Sequence, residues 1–192
     1  MTFATIVADP PWDVKAGRAL GTYKVVGGKQ VWSAGGTAAA RPLAYPTMTV
    51  QEIAALRIPA ADDCHLYLWT INRYVDEAFD VARAWGFNYS TLLTWAKNPK
   101  GSGLGGCYGI SSEYVLFCRR GSLAAKCDVN TTWFNWKRPY KNGYPQHSAK
   151  PPEFYWMVEQ VSPGPYLEMF ARQPRAGWAV WGNEVNPDVE IA

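Results

Sequence analysis

The chain is poor in the residues that hold metals, and it has no long apolar run. Its 192 residues include four cysteines, Cys64, Cys107, Cys118 and Cys127, and two histidines, His65 and His147. No cysteines form a C-x-x-C pair, and a zinc site needs clustered Cys and His ligands, so no metal centre is expected. The cysteines read instead as small apolar residues in or near strands. No apolar stretch approaches the roughly 18 residues of a membrane span, and the N-terminus lacks a signal-peptide pattern. A reducing cytoplasm is the expected compartment. Charge is sparse too: 18% of residues are charged and the net charge is +3. No strong electrostatic grip on a polyanion follows, and any such binding should be modest and salt-sensitive.

What the chain does have is apolar and aromatic. Hydrophobic residues make up 48%, with ten tryptophans and eleven tyrosines. That composition is globular, and the length suits one domain covering residues 1–192. Some of the rings must be core, but the excess also suits a protein that handles flat heterocycles.

One stretch stands out. The apolar run Phe3-Ala4-Thr5-Ile6-Val7-Ala8 reads as a buried strand, and Asp9-Pro10-Pro11-Trp12 follows it directly. Proline donates no backbone hydrogen bond and fixes its own φ, while the first proline keeps Asp9 out of helical geometry. The expected result is a stiff segment with outward, unpaired carbonyls between an acid and a large ring. Such a site can accept two N–H bonds from a planar amine and stack the ring that carries it.

Residues 13–48 read as a long irregular loop, rich in glycine and carrying Lys15, Arg18, Lys24, Lys29 and Arg41. Loops of that length are commonly functional, and a flap over the site is expected here. Thr49-Val50-Gln51-Glu52 fits a capping box that opens a short helix. Cys64 to Trp69 alternates as a strand, Asn72 is placed to cap a helix over 73–85, and Gly86 ends it. Residues 87–97 and 113–118 read as further strands, and 128–136 as an edge strand. Pro151-Pro152 opens a helix to about Val161, and strands over 166–170 and 177–182 precede a loose tail, 185–192. The glycine run at 101–106 lacks the G-K-[ST] of a phosphate loop and reads as a linker. Strand–helix–strand order argues for a mostly parallel sheet. Open sheets of this kind bind ligands beyond their strand C-termini, so Asp9 and Arg172, each just past a strand, are expected to face one crevice.

The run Ile6 to Trp12 closely resembles the signature of adenine-N6 methyltransferases related to the catalytic subunit of the messenger-RNA adenosine methyltransferase. Four further segments resemble that family in order: Tyr45-Pro46-Thr47-Met48, Leu92 through Asn98, His147 through Pro151, and Phe170-Ala171-Arg172 through Trp181-Gly182-Asn183-Glu184. The resemblance implies a Rossmann-like S-adenosylmethionine-dependent fold. This is an α/β, mostly parallel seven-stranded sheet with helices on both faces and a circularly permuted motif order. It implies methyl transfer from S-adenosylmethionine to the exocyclic amine of adenine in nucleic acid, DNA before RNA. Asp9, Pro10, Pro11 and Trp12 are then catalytic, with Trp12 and Tyr45 holding the displaced ring. Tyr45, Trp95, Lys97 and Glu113 lie on the substrate side. Asp9, Lys150, Arg172, Asn183 and Glu184 contact the cofactor, Lys150 through the methionyl carboxylate. No added recognition domain is visible, so sequence specificity is expected to be short or relaxed unless a homodimer or accessory subunit supplies it. A silent nucleic-acid-binding subunit is the alternative, but such subunits typically lose the tetrad. Cytosine-N4 chemistry usually starts its tetrad with Ser and ends it with Tyr.

Overall fold

A strand that is apolar on both faces has to be covered on both sides. In the computed structural model, which describes residues 1–13, 22–33, 46–97, 108–141, 143–145 and 149–192, the first apolar run is such a strand. It is β1 (Phe3–Ala8), followed by β2 (Thr22–Val26), β3 (Lys29–Ser33), α1 (Val50–Ala55), β4 (Ala60–Thr70) and α2 (Val75–Ala84). Then come β5 (Asn88–Ala96), β6 (Ser112–Arg120), β7 (Trp133–Phe134), β8 (Tyr140–Lys141), β9 (Tyr144–Pro145), α3 (Pro152–Val161), β10 (Tyr166–Met169) and β11 (Trp178–Trp181). Seven strands form one sheet in the order β11-β10-β1-β4-β6-β5-β7. β6 runs antiparallel to both of its neighbours, and every other pairing in the sheet is parallel. This is the expected mostly parallel, Rossmann-like sheet.

Side-chain alternation divides the core in two. Ile6, Ala8, Leu66, Leu68, Leu116, Cys118, Leu167 and Met169 pack with Ile53 of α1 and with Ala78, Val81 and Ala82 of α2. On the other face, Val7, Tyr67, Trp69, Trp95 and Val115 pack with Phe154, Tyr155, Met157 and Val158 of α3. Helices therefore cover both faces. The capping box at α1 is present as expected, with Thr49 Oγ1 accepting from the Glu52 amide at 3.2 Å and Glu52 accepting from the Thr49 amide at 2.7 Å. Gly86 ends the α2 region with φ +78°, a left-handed conformation that glycine adopts without penalty. No helix among the described residues is long and apolar enough to cross a membrane.

The structure departs from the sequence expectations in four places. The stretch expected to be irregular contains the β2–β3 hairpin, closed by Gly27 and Gly28 at φ +58° and +77°. Positive φ at both central residues is what a tight two-residue hairpin turn demands. Asn72 does not cap α2. It starts a single 3-10 turn, Asn72–Tyr74, and its Oδ1 accepts the Tyr114 hydroxyl at 3.1 Å. The edge strand expected over 128–136 reduces to the two residues of β7. The tail is docked rather than loose. Asp188 exchanges backbone and side-chain bonds with Val180, the Ala192 carbonyl accepts from the Arg57 amide at 2.8 Å, and Val189 and Ile191 pack on the core.

Gly182 is set by proximity. A Cβ there would lie 2.3 Å from the Ala171 carbonyl oxygen and 2.7 Å from the Ala171 nitrogen. The chain leaving β11 thus lies against the chain leaving β10, and Ala171 N–H donates to the Trp181 carbonyl at 2.9 Å. Gly182→Ala should therefore cost about 1–3 kcal/mol, read as a lowered urea midpoint at unchanged m-value.

Candidate active site

The candidate site grows out of strand parity. Val7, Trp69, Trp95 and Val115 face α3, and a period of two carries Asp9, Lys97 and Glu113 to that same face. Register steps them along one edge of the sheet: Ala8 pairs with Leu68 and Met169, Trp69 with Val115, and Trp95 with Glu113. Because β6 runs backwards, its first residues meet the last residues of β4 and β5. Glu113 enters the site by that reversal. Lys150 arrives from the segment before α3.

These side chains form an alternating chain of charge. Lys150 Nζ lies 2.8 Å from Asp9 Oδ2 and 3.3 Å from Glu113 Oε2, and Lys97 donates to Glu113 Oε1. Lys150 and Glu113 are well buried, their side chains 8% and 14% exposed, while Asp9 is 30% exposed. Two indoles underlie the ammonium groups. Lys150 Nζ sits 4.8 Å from the Trp69 ring centroid and Lys97 Nζ 4.9 Å from that of Trp95, and the two rings meet edge to face at 5.9 Å. A desolvated cation over an indole gains about 2 kcal/mol, so the rings help fix both lysines.

The environment sets each protonation. Burial pushes the Asp9 carboxyl up from 3.8, and Lys150 only partly offsets it. Burial also works on Glu113, but Lys150 and Lys97 outweigh it and hold its carboxyl below 4.5. For Lys150, burial pulls downward and the two carboxylates more than reverse it, so the ammonium is retained. For Lys97, burial wins and its pKa falls.

The tetrad itself corrects two expectations. Its carbonyls are not unpaired: the Pro10 oxygen accepts from the Trp12 amide at 2.8 Å, and the Pro11 oxygen from the Met48 amide at 3.0 Å. A carbonyl has two lone pairs, so Pro10 keeps one to offer. Trp12 is not an open stacking surface. It is 4% exposed, stacks on Tyr74 with centroids 5.3 Å apart, and donates Nε1–H to the Trp69 carbonyl at 3.1 Å. It braces the site wall. The ends of the 13–48 stretch are fastened there as well, since Tyr74 OH donates to the Asp13 carbonyl and Met48 pairs with Trp12. Tyr45, His147 and Ser148 lie outside the described residues.

Arg172 and Glu184 stand at the tips of β10 and β11, beside the tip of β1. They pair at 2.8 Å and are about half exposed. Asn183 next to them is exposed. Phe170, just past β10, holds φ +62°, which is uncommon for a non-glycine residue and clusters at ligand sites. Sequence reading missed Trp69, whose signal was its parity with Tyr67. It also missed Glu168, an acid on the α3-facing side of β10. Glu168 accepts from Tyr155 OH at 2.6 Å and pairs with Arg175 at 3.3 Å, and burial pushes its carboxyl up. No group of three or more potential metal ligands occurs among the described residues.

Comparison with known proteins bears directly on this arrangement, because the MT-A70 pattern matches residues 3–184. The chain belongs to the MT-A70 family. It is 28% identical to the type II methyltransferase M.MunI of Mycoplasma sp, across 98% of this chain and 80% of that protein. It is 25% identical to the human N(6)-adenosine-methyltransferase catalytic subunit METTL3, across 96% of this chain and 28% of that protein. The figures for an MT-A70-like protein of Medicago truncatula are 26%, 96% and 26%. The chain thus spans about a quarter of the length of the N(6)-adenosine-methyltransferases it matches. The MT-A70 sheet described here carries the tetrad just past β1, with Arg172 and Asn183-Glu184 just past the neighbouring strands β10 and β11.

Replacing Lys150 by Met leaves two buried carboxylates facing each other. Such a break costs about 3–5 kcal/mol at neutral pH. In that variant both folded carboxyl values rise, so the folded state takes up protons and the deficit shrinks as pH falls toward the ordinary 3.8 and 4.5. In the wild type, Glu113 contributes stability above 4.5 that is lost as pH falls through its lowered folded value. Urea unfolding of both proteins across this range measures the difference, and adding Glu113→Gln to Lys150→Met should recover part of the loss.

Proposed function

We infer that this MT-A70 protein transfers a methyl group from S-adenosylmethionine to the N6 amine of adenine in DNA. The observation that carries the reading is the Asp9 carboxylate, fixed by Lys150 at a strand tip beside Arg172, Asn183 and Glu184. The donor set fits the cofactor's chemistry: a cation and an anion for its amino-acid end, and amide and carboxylate groups for ribose hydroxyls. Arg172, Asn183 and Glu184 would hold it, with Asp9 and Lys150 at the reacting end. Lys150 already has two anionic partners, so meeting a third carboxylate would mean giving one up. When bound, S-adenosylmethionine supplies an electrophilic methyl on a sulfonium.

The chain's own residues do the rest. The adenine amine is a weak nucleophile because its lone pair is delocalised into the ring. Lys150 engages Oδ2 of Asp9, and the carboxylate has a second oxygen to accept one amine hydrogen. The spare lone pair of the Pro10 carbonyl accepts the other. These bonds strengthen as the nitrogen becomes positive, so they favour the transition state over the ground state. A carboxylate whose pKa burial has raised is also a better acceptor for the proton the methylated amine sheds. Trp12, braced by Tyr74 and Trp69, keeps the tetrad rigid, and positioning is the largest remaining contribution. Lys97 and Glu113 face the substrate, while Trp95, expected there as well, is buried beneath Lys97 and supports it from below. The ends of the 13–48 stretch, at Asp13 and Met48, are tied down beside the tetrad. The match over four fifths of a type II methyltransferase supports DNA. A homodimer or accessory subunit would extend recognition.

The test is incubation of the purified protein with labelled S-adenosylmethionine and DNA or RNA oligonucleotides, followed by digestion to nucleosides. N6-methyladenine in DNA is the expected product; methyladenosine from RNA alone would change the polymer, and no product would overturn the reading. Asp9→Asn should lower kcat by about 10²–10³-fold with cofactor affinity retained by calorimetry. Glu113→Gln removes a negative neighbour and leaves Lys150 wholly to Asp9, which lowers the Asp9 pKa. The acid limb of kcat/KM should therefore move to lower pH.

A further inference from the structure

The edge of the sheet beyond β5 carries features that the methyl-transfer site does not use. Within residues 133–137 the side chains alternate inward and outward. Phe134 is buried and stacks on Trp136 at 4.2 Å with an interplanar angle of 17°. The Trp136 carbonyl accepts from Trp95 Nε1 at 2.9 Å, which ties the segment to the substrate side of the site. The side chains between and beside them point out: Trp133 is 56% exposed and Asn135 and Lys137 are exposed, and past them Arg138 is half-buried and Tyr140 64% exposed. Arg138 lies close to Lys97; after burial, the charges of Lys150 and Arg138 are what pull the Lys97 pKa down.

Exposed rings are ordinary one at a time, but these alternate with cations and polar groups along a segment anchored at one end in the active site. A protein interface would ask for a contiguous apolar patch with little lysine. Aromatic faces spaced among basic side chains suit a polyanion whose flat bases are free to stack. A duplex hides those faces, so only unpaired nucleotides can use them.

We propose that Trp133, Lys137, Arg138 and Tyr140 form a rail for the single-stranded nucleotides flanking the target base, with Trp133 and Tyr140 stacking bases and Lys137 and Arg138 facing phosphates. The proposal rests on the nucleic-acid reading above and adds the form of the substrate: single-stranded or locally opened. Stacking tolerates any base, so the rail contributes affinity without sequence preference.

Binding to a single-stranded oligothymidylate tests the rail without turnover, since that probe contains no adenine. The wild-type protein should bind it with quenching of tryptophan fluorescence, and more weakly as salt rises. Trp133→Ala should weaken binding about tenfold, and Trp133→Phe should restore most of it. On a single-stranded adenine substrate, Trp133→Ala should raise KM with kcat unchanged, and the effect should vanish for a trinucleotide too short to reach the rail. Equal oligothymidylate binding by Trp133→Ala and wild type would overturn the proposal. So would an equal KM change on the trinucleotide, or a change in sedimentation instead of in binding, which would assign the ring to a protein contact. Methyl transfer with an inert Trp133 sinks the rail alone; absent transfer with Trp133-dependent oligothymidylate binding sinks the enzyme reading alone.

Discussion

Lys150 holds this structure's chemistry together by standing between two carboxylates that could not otherwise share a buried space. Asp9 ends β1 and Glu113 begins β6, and strand β4 lies between them in the sheet. Two anions placed this way repel each other and lose hydration, so one would be protonated without a cation between them. The ammonium removes that conflict, and the indole of Trp69 beneath it keeps the ammonium in place. Asp9 can then remain a carboxylate in a partly buried position.

The rest of the fold can be seen as what brings this lysine to that spot. The parallel strands β11, β10, β1 and β4 place their C-termini along one edge, as open sheets do where they bind ligands. The single reversed strand, β6, returns to that edge from the other direction and brings an acid that a parallel strand would have left at the far end. α3 covers the face from which Asp9, Glu113 and Lys97 project, and the residue two positions before it is Lys150. Trp12 links the tetrad to β4 through the Trp69 carbonyl. Chemistry and core packing are continuous here: Trp69 and Trp95 belong to the hydrophobic core and also carry the ammonium groups.

Much of this was legible from residues alone. The strand before Asp9, the capping box at Thr49, the glycine stop at Gly86 and the proline-opened α3 all follow from local stereochemistry. Family motifs marked Lys150 for the cofactor and Glu113 and Lys97 for the substrate side, without showing that the three join in one cluster. The β2–β3 hairpin was available in the alternating residues around Gly27-Gly28, but so many other glycines surround that pair that its turn signal was lost. The docked tail could not be seen, because its anchors, Asp188 and Ala192, find their partners in β11 and after α1.

The sequence by itself determined most of the longer elements and the position of the acid at a strand exit, since these depend on contacts within a few residues, and the strand–helix–strand order implied the mostly parallel sheet. Only the tertiary structure decided who pairs with whom. It placed Lys150 between Asp9 and Glu113 instead of leaving it solvated, gave the Pro11 carbonyl the distant Met48 amide as its partner, and turned Trp12 from an open ring into a buried brace. These outcomes depend on strand direction and register, and a one-residue slip would send each side chain to the opposite face. Pairings between residues 37 and 141 positions apart, as for Lys150 with Glu113 and with Asp9, leave no trace in local pattern because nothing local enforces them.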